Sequence, residues 1–196
     1  ADPARRQNAP FFTWVTEARP FVLLKAAVSQ DGFVGRPDHR VVLTGARANQ
    51  FFQQQRAWVD AIAVGAGTVL VDDPQLTARG AYRDRPLTRV LFDWRGRIGA
   101  TARVFSTLAA GPVIMVVSAA AAEADPARVA DFERRGVIVH RARERRVRPV
   151  LGWLATREVL ALLVEGGPGL HAACRDEGLI DRVQYAVTPH VLGEGV

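Results

Sequence analysis

Seven short runs of β-branched and other apolar residues, separated by stretches with helical spacing, constrain this chain more than any other feature. The runs are 21–29, 61–64, 89–93, 113–118, 137–140, 160–164 and 183–188, and helices are expected over 46–58, 126–135, 150–158 and 170–178. Several runs are apolar throughout, as strands covered on both faces are. Strands alternating with helices in this way predict an α/β domain with a largely parallel central sheet flanked by helices. Asp125 followed by Pro126 suits a helix start, and Gly136 suits a helix stop. There is no internal repeat, and low complexity is confined to the alanines at 119–122.

At 196 residues the chain fits one domain. Charges interrupt every apolar run before it reaches the roughly 18 residues that a membrane span needs. The basic start, ADPARRQNAPFF, lacks the apolar core of a signal peptide. The one cysteine, Cys174, can neither close an internal disulfide nor anchor a zinc site alone, so a cytoplasmic setting is expected. The chain does not begin with methionine and stops at LGEGV just after a strand, where a glycine turn should lead onward. An excerpt from a longer protein, incomplete at its C-terminal end, is therefore expected.

The formal charge is +6, and Lys25 is the single lysine among 26 basic residues. Arginine is forked and always charged, whereas lysine is a compact point charge with a tunable pKa. A chain that uses arginine nearly everywhere has kept one ammonium, by chance or because a guanidinium would not serve. Such basicity suits phosphate-bearing partners. Nucleic acid is disfavoured, because the arginines are scattered and the dense run 141–148 (RARERRVR) has no aromatics for base stacking.

Three segments carry chemistry. In 164–174 (VEGGPGLHAAC) a glycine-rich turn between strand and helix lets backbone amides approach an anion; a plain tight turn is the other reading. Glu165 stands at a strand's C-terminal end, where ligand sites of open α/β sheets gather. In 60–79 a strand runs into Gly65-Ala66-Gly67-Thr68, then two acids, then Arg79. Thr68 and Arg79 suit a phosphate. Asp72 and Asp73 look like metal ligands, but no other acid or histidine cluster completes a site, and ordering the turn before Pro74 is preferred. In 19–32 Lys25 sits inside an apolar strand, which is costly for a lysine unless it is paired, functional or snorkelling from an edge.

Taken in order, LLKAAVSQDG, LTG at 43–45, VGAGTVLVDDPQLTAR, LLVEGGPGLHAA, GLIDRV and TPHVLG resemble the reductase domain of the bifunctional riboflavin-biosynthesis deaminase/reductases. The match runs from about Arg19 to Gly193, which makes residues 1–18 linker-like and 19–196 the reductase domain. The resemblance implies a dihydrofolate-reductase-like three-layer fold, NADPH as hydride donor, a phosphorylated ribosylamino-pyrimidine (5-amino-6-(5-phosphoribosylamino)uracil) as substrate, and a homodimer. By position it implies Lys25 and Glu165 as the catalytic or substrate-contacting pair. Arg40, Arg56, Leu76 and Arg79 fall on the substrate side, with Arg56 and Arg79 near the 5′-phosphate. Ala27, Thr68, Asp72 and the turn Gly167, Pro168, Gly169, Leu170, His171, Ala172 and Ala173 fall on the cofactor side; no metal is implied.

Two positions depart from the family pattern. Val42 stands where a tryptophan is usual, and Trp94 where a serine or threonine is. The chain has no H-x-E and no P-C-x-x-C, so a deaminase domain would have to lie outside these residues. Rival readings are reduction of the 2,5-diamino-pyrimidinone before deamination, dihydrofolate reduction, and a nucleotide-binding module without activity. The second would want an acid on the first long helix, and none stands between Asp38 and Asp60.

Overall fold

The structure is a computed structural model that describes residues 3–36, 39 and 41–196, with Arg5 described by its backbone alone. In chain order its elements are α1 (Pro3–Gln7), α2 (Ala9–Glu17), β1 (Phe21–Val28), α3 (Ala46–Trp58), β2 (Ala61–Gly65), α4 (Ala66–Asp72), β3 (Thr88–Phe92), a 3-10 segment (Arg103–Ala110), β4 (Val113–Ser118), α5 (Ala119–Ala124), α6 (Pro126–Arg134), β5 (Ile138–Ala142), α7 (Val147–Ala155), β6 (Ala161–Gly166), α8 (Pro168–Asp176) and β7 (Arg182–Val187). All seven apolar runs form strands. They make one sheet in the order β5-β4-β3-β2-β6-β1-β7, and every adjacent pair is parallel.

Because neighbouring side chains of a strand point to opposite faces, the apolar runs feed two cores. Ile62, Val64, Leu91 and Met115 join Phe105 and Phe132 on one face. Ala61, Ala63, Val90 and Val116 join Leu151, Leu154 and Leu179 on the other. Both faces are thus covered, as the unbroken hydrophobicity required.

The helices differ more from expectation. Residues 3–17, read as a linker, form α1 and α2, and Trp14 of α2 donates its indole N–H to the Ala155 carbonyl at 3.1 Å. α4 grows directly out of β2, with Gly65 as its extended N-cap. α7 begins at Val147 because the Glu177 carboxylate accepts the backbone N–H groups of Val147 and Arg148, at 2.8 and 3.0 Å.

Two carboxylates seat the central strands. Asp60 accepts the N–H groups of Leu160 and Ala161 at 3.0 and 2.9 Å, joining the start of β2 to that of β6. Asp181 accepts the Val22 N–H at 2.7 Å and takes both arms of the buried Arg19 at 2.6 and 2.9 Å. This pairing holds the Arg19 pKa above its ordinary value, against the cost of burial. Arg19 also donates to the more exposed Glu17 carboxylate at 2.8 Å, so removing Asp181 leaves this buried charge with a single, solvent-screened partner. Asp181→Ala is therefore expected to lower the unfolding free energy by roughly 3 kcal/mol in urea denaturation; an unchanged midpoint would show that the pair contributes nothing.

Candidate active site

The chain lays down β2 to β5 in one direction, then returns to insert β6 between β2 and β1. That reversal is a topological switch point, and such points leave a crevice at the carboxyl ends of the strands. Lys25 and Ala27 reach it from β1, Val64 from the end of β2, and Glu165 and Gly166 from the end of β6.

The β2–β6 register aligns Ala63 with Val164 but Val64 with Gly166, so Glu165 is the extra residue of a bulge. Bulges re-aim a side chain. Here the Glu165 carboxylate meets Arg56 of α3 side-on, with Nε donating to Oε1 at 2.7 Å and Nη2 to Oε2 at 2.6 Å. Arg56 also donates from Nη1 to the Thr77 carbonyl at 3.0 Å. The two side chains retain 15% and 8% of their exposure, so this is a nearly dry fork-to-fork pair. Burial lowers the Arg56 pKa, but its bonds and charge contact with Glu165 outweigh burial, and the net shift is upward.

Lys25 has no hydrogen-bond or ion-pair partner among the described residues. Its Nζ lies 3.9 Å from the centroid of the Phe52 ring, close enough for a cation–π contact. Burial lowers its pKa; the Glu165 charge opposes that shift and the Arg56 charge adds to it. An uncommitted ammonium thus faces the crevice beside a neutralised ion pair.

The crevice has two chambers. One, of about 440 Å³, is lined by Arg56, Leu76, Arg79, Arg103, Gln53 and Asn49 among others. The second, of about 390 Å³, is lined by Gly67, Gly166, Gly167, Pro168 and His171. Lys25, Ala27, Thr68, Asp72 and Glu165 border both. A β-carbon at Gly166 would stand 2.8 Å from the Thr68 hydroxyl, and Gly167 has φ +91°, so this cradle demands glycine at both positions. On its wall the His171 Nε2 is buried without a partner among the described residues. Burial, then the Lys25 charge, lowers the His171 pKa and favours the neutral ring.

Most of the residues singled out in the sequence therefore meet here. The exceptions are specific. Leu170 is buried in the core and Ala173 packs against it, while neither Gly169 nor Ala172 lines either chamber. Arg40 lies outside the described residues. Arg56 is present but its fork is committed to Glu165. Leu76 is 3% exposed and left-handed, with φ +56°, a conformation a bulky residue adopts only when its surroundings impose it. Asp73 does order its turn: its N–H bonds the Val69 carbonyl, and its carboxylate accepts the Arg103 N–H at 2.8 Å. Of the two departures, Val42 lines the first chamber and is 61% exposed, whereas Trp94 stacks edge-on against Phe92 and lines neither chamber.

Sequence reasoning missed Phe52, Gln53, Asn49 and Arg103. The first three share the helical spacing 49, 52, 53 and 56 with Arg56, which was a legible signal. Arg103 gave none; only the fold brings it to the crevice.

Comparisons with known proteins bear on the family and fold of this chain. A family model described as the RibD C-terminal domain matches residues 20–196. The riboflavin biosynthesis protein RibD of Aquifex aeolicus is 29% identical over 196 residues, all of this chain and 53% of that protein. The 2,5-diamino-6-ribosylamino-4(3H)-pyrimidinone 5′-phosphate reductase of Methanothermobacter thermautotrophicus is 32% identical over 179 residues, covering 89% of this chain and 80% of its own. A crystal structure of the diaminohydroxyphosphoribosylaminopyrimidine deaminase/5-amino-6-(5-phosphoribosylamino)uracil reductase of Thermotoga maritima superimposes with a TM-score of 0.81 at 30% identity, over 98% of this chain and 51% of that one. The chain spans about half the length of the RibD relatives it matches.

The ion pair generates a direct test. Arg56→Ala and Glu165→Ala should each destabilise the protein, and the double variant should lose less than their sum, with a coupling of about 1–3 kcal/mol in denaturant titrations. Additive losses would mean that the two groups do not meet.

Proposed function

The chain belongs to the RibD C-terminal domain family, and from that premise we propose that it reduces the ribosylamino group of a phosphorylated pyrimidine to a ribitylamino group in riboflavin biosynthesis. The observation that carries this reading is the ammonium of Lys25, uncommitted and placed where two chambers join. One chamber, rimmed by arginines, suits a sugar phosphate. The other, with its glycine cradle and orphaned His171 nitrogen, fits a nucleotide. Thr68, His171 and the Gly167–Pro168 turn would hold that nucleotide; NADPH is the proposed one. Bound there, a reduced nicotinamide supplies hydride.

The ribosylamine opens to an imine. Its C1′ accepts hydride, while the C=N electron pair moves to nitrogen, which takes a proton. Lys25 stabilises the charge developing on that nitrogen. Glu165, fixed by Arg56, opposes the pull of burial on the Lys25 proton, while the Arg56 charge adds to that pull. Phe52 holds that ammonium from below.

Deamination would require residues that this chain does not contain, and we assign it to a segment outside it. Residues 19–196 form the proposed reductase domain, and a homodimer in the cytoplasm is its proposed state. A second reading, reduction before deamination, is favoured by the Methanothermobacter relative, of which the chain covers 80%. Comparing turnover of the uracil and the 2,5-diamino substrate decides between them.

The decisive experiment is single-turnover NADPH oxidation. Lys25→Arg keeps the charge, but the larger fork cannot occupy the space over Phe52. A displacement of about 1 Å can cost on the order of a hundredfold, so this variant should fold, bind NADPH and lose at least about 99% of the rate. Parental turnover would remove Lys25 from the mechanism. Since the ammonium is the acting form and its pKa is lowered, activity should fall with rising pH from below the ordinary lysine value of about 10.4. Glu165→Gln withdraws the opposing charge and should move that limb to lower pH. In a separate titration of tryptophan fluorescence, NADPH should bind more tightly than NADH; equal affinities would count against the proposed cofactor.

A further inference from the structure

Lys25 stands beside a carboxylate that is bound elsewhere. The β1–β6 register sets Leu24 against Val164, which makes Lys25 and Glu165 neighbours, yet both Glu165 oxygens are taken by the Arg56 fork at 2.7 and 2.6 Å. One turn earlier on α3, Phe52 turns its ring toward the Lys25 Nζ, which lies 3.9 Å from the centroid. Phe52 is the buried residue of that helix, 6% exposed, and Phe51 packs edge-on against it with 5.7 Å between centroids. A single turn of α3 therefore occupies the nearest counter-ion of Lys25 and supplies an aromatic face in its place.

The two kinds of partner act differently on an ammonium. A carboxylate stabilises it by accepting its hydrogen bonds, and so uses up its donors. The negative face of a ring favours the charge but accepts from the donors only weakly, so an ammonium seated on it can still donate elsewhere. We propose that Phe52 is a positioning residue: its ring stands in for a counter-ion and seats the Lys25 ammonium, charged and with its donors open to the reacting nitrogen, where the two chambers join. The proposal rests on the reading of Lys25 as the group that acts on the ribosylamine. Other groups face the same ammonium. Burial opposes its charge, Glu165 favours it, and Arg56 adds to the opposition. His171 feels the Lys25 charge from α8, Asp72 borders the same chambers from α4, and β7 pairs the neutral Gln184 with Lys25.

The single lysine makes the test clean. Protein labelled with isotopic lysine shows one lysine side-chain signal by NMR, and its pH titration reads the charge of this ammonium without turnover. Phe52→Leu keeps apolar bulk but removes a stabiliser of the charged form, so the titration should move to lower pH by about one unit. A core substitution can also disturb packing. A second form therefore carries a ring-fluorinated phenylalanine at position 52, which keeps the shape but depletes the negative face. Its titration should move in the same direction by less, at an unchanged thermal midpoint. In single-turnover NADPH oxidation the high-pH limb of the rate should move by the same amount as the NMR titration. A titration that moves in a protein that never oxidises NADPH would defeat the reductase reading and leave the ring's hold on the ammonium standing. Identical titrations in all three forms, or a shift in Phe52→Leu with none in the fluorinated form, would overturn the proposal. A rate limb that does not follow the titration would remove Phe52 from the reaction.

Discussion

The contact between Arg56 and Glu165 organises this molecule's crevice. It joins the middle of the sheet to the long helix α3 across 109 residues of sequence, and both groups are nearly dry. Isolated, either charge would be too costly to bury; together they form a neutral floor. On that floor a third charge, the Lys25 ammonium, can stand without a counter-ion of its own. The bulge at Glu165 makes this possible, because regular pairing of β6 would not have turned the carboxylate toward α3.

The sheet was legible because strands covered on both faces must be apolar along their whole length, and runs such as 113–118 can hardly be anything else. The N-terminal helices were not. Asn8-Ala9-Pro10-Phe11-Phe12 reads as a connection until Trp14 finds the Ala155 carbonyl, a contact that no local pattern announces. The site divides the same way. Lys25, Glu165, Thr68, Arg79 and the Gly166–Gly167 turn stand out by residue type or by a motif. Arg103 is one arginine among many, and its place depends on Asp73, 30 residues earlier. The commitment of Arg56 was hidden too, since a basic residue on a helix face looks the same whether it awaits an anion or already holds one.

An arginine-rich composition thus conceals a division of labour. Arg83 closes the end of α3 by donating to the carbonyls of Arg56, Ala57 and Val59, and Arg89, with no exposed surface, donates to Thr107 and Gly111. These guanidiniums do what backbone or water would otherwise do. Only by subtracting them does the small set left open toward the crevice become visible.

The solitary lysine has one more consequence. Every other strongly basic side chain is a guanidinium, which does not acylate or form Schiff bases under mild conditions, so this chain carries a single side-chain primary amine. Burial lowers the proton affinity of that amine and raises the share of its nucleophilic form at a given pH. Amine-directed reagents small enough to enter will therefore meet one internal target, at the junction of the two chambers. Composition and fold together have given this crevice a chemical address of its own.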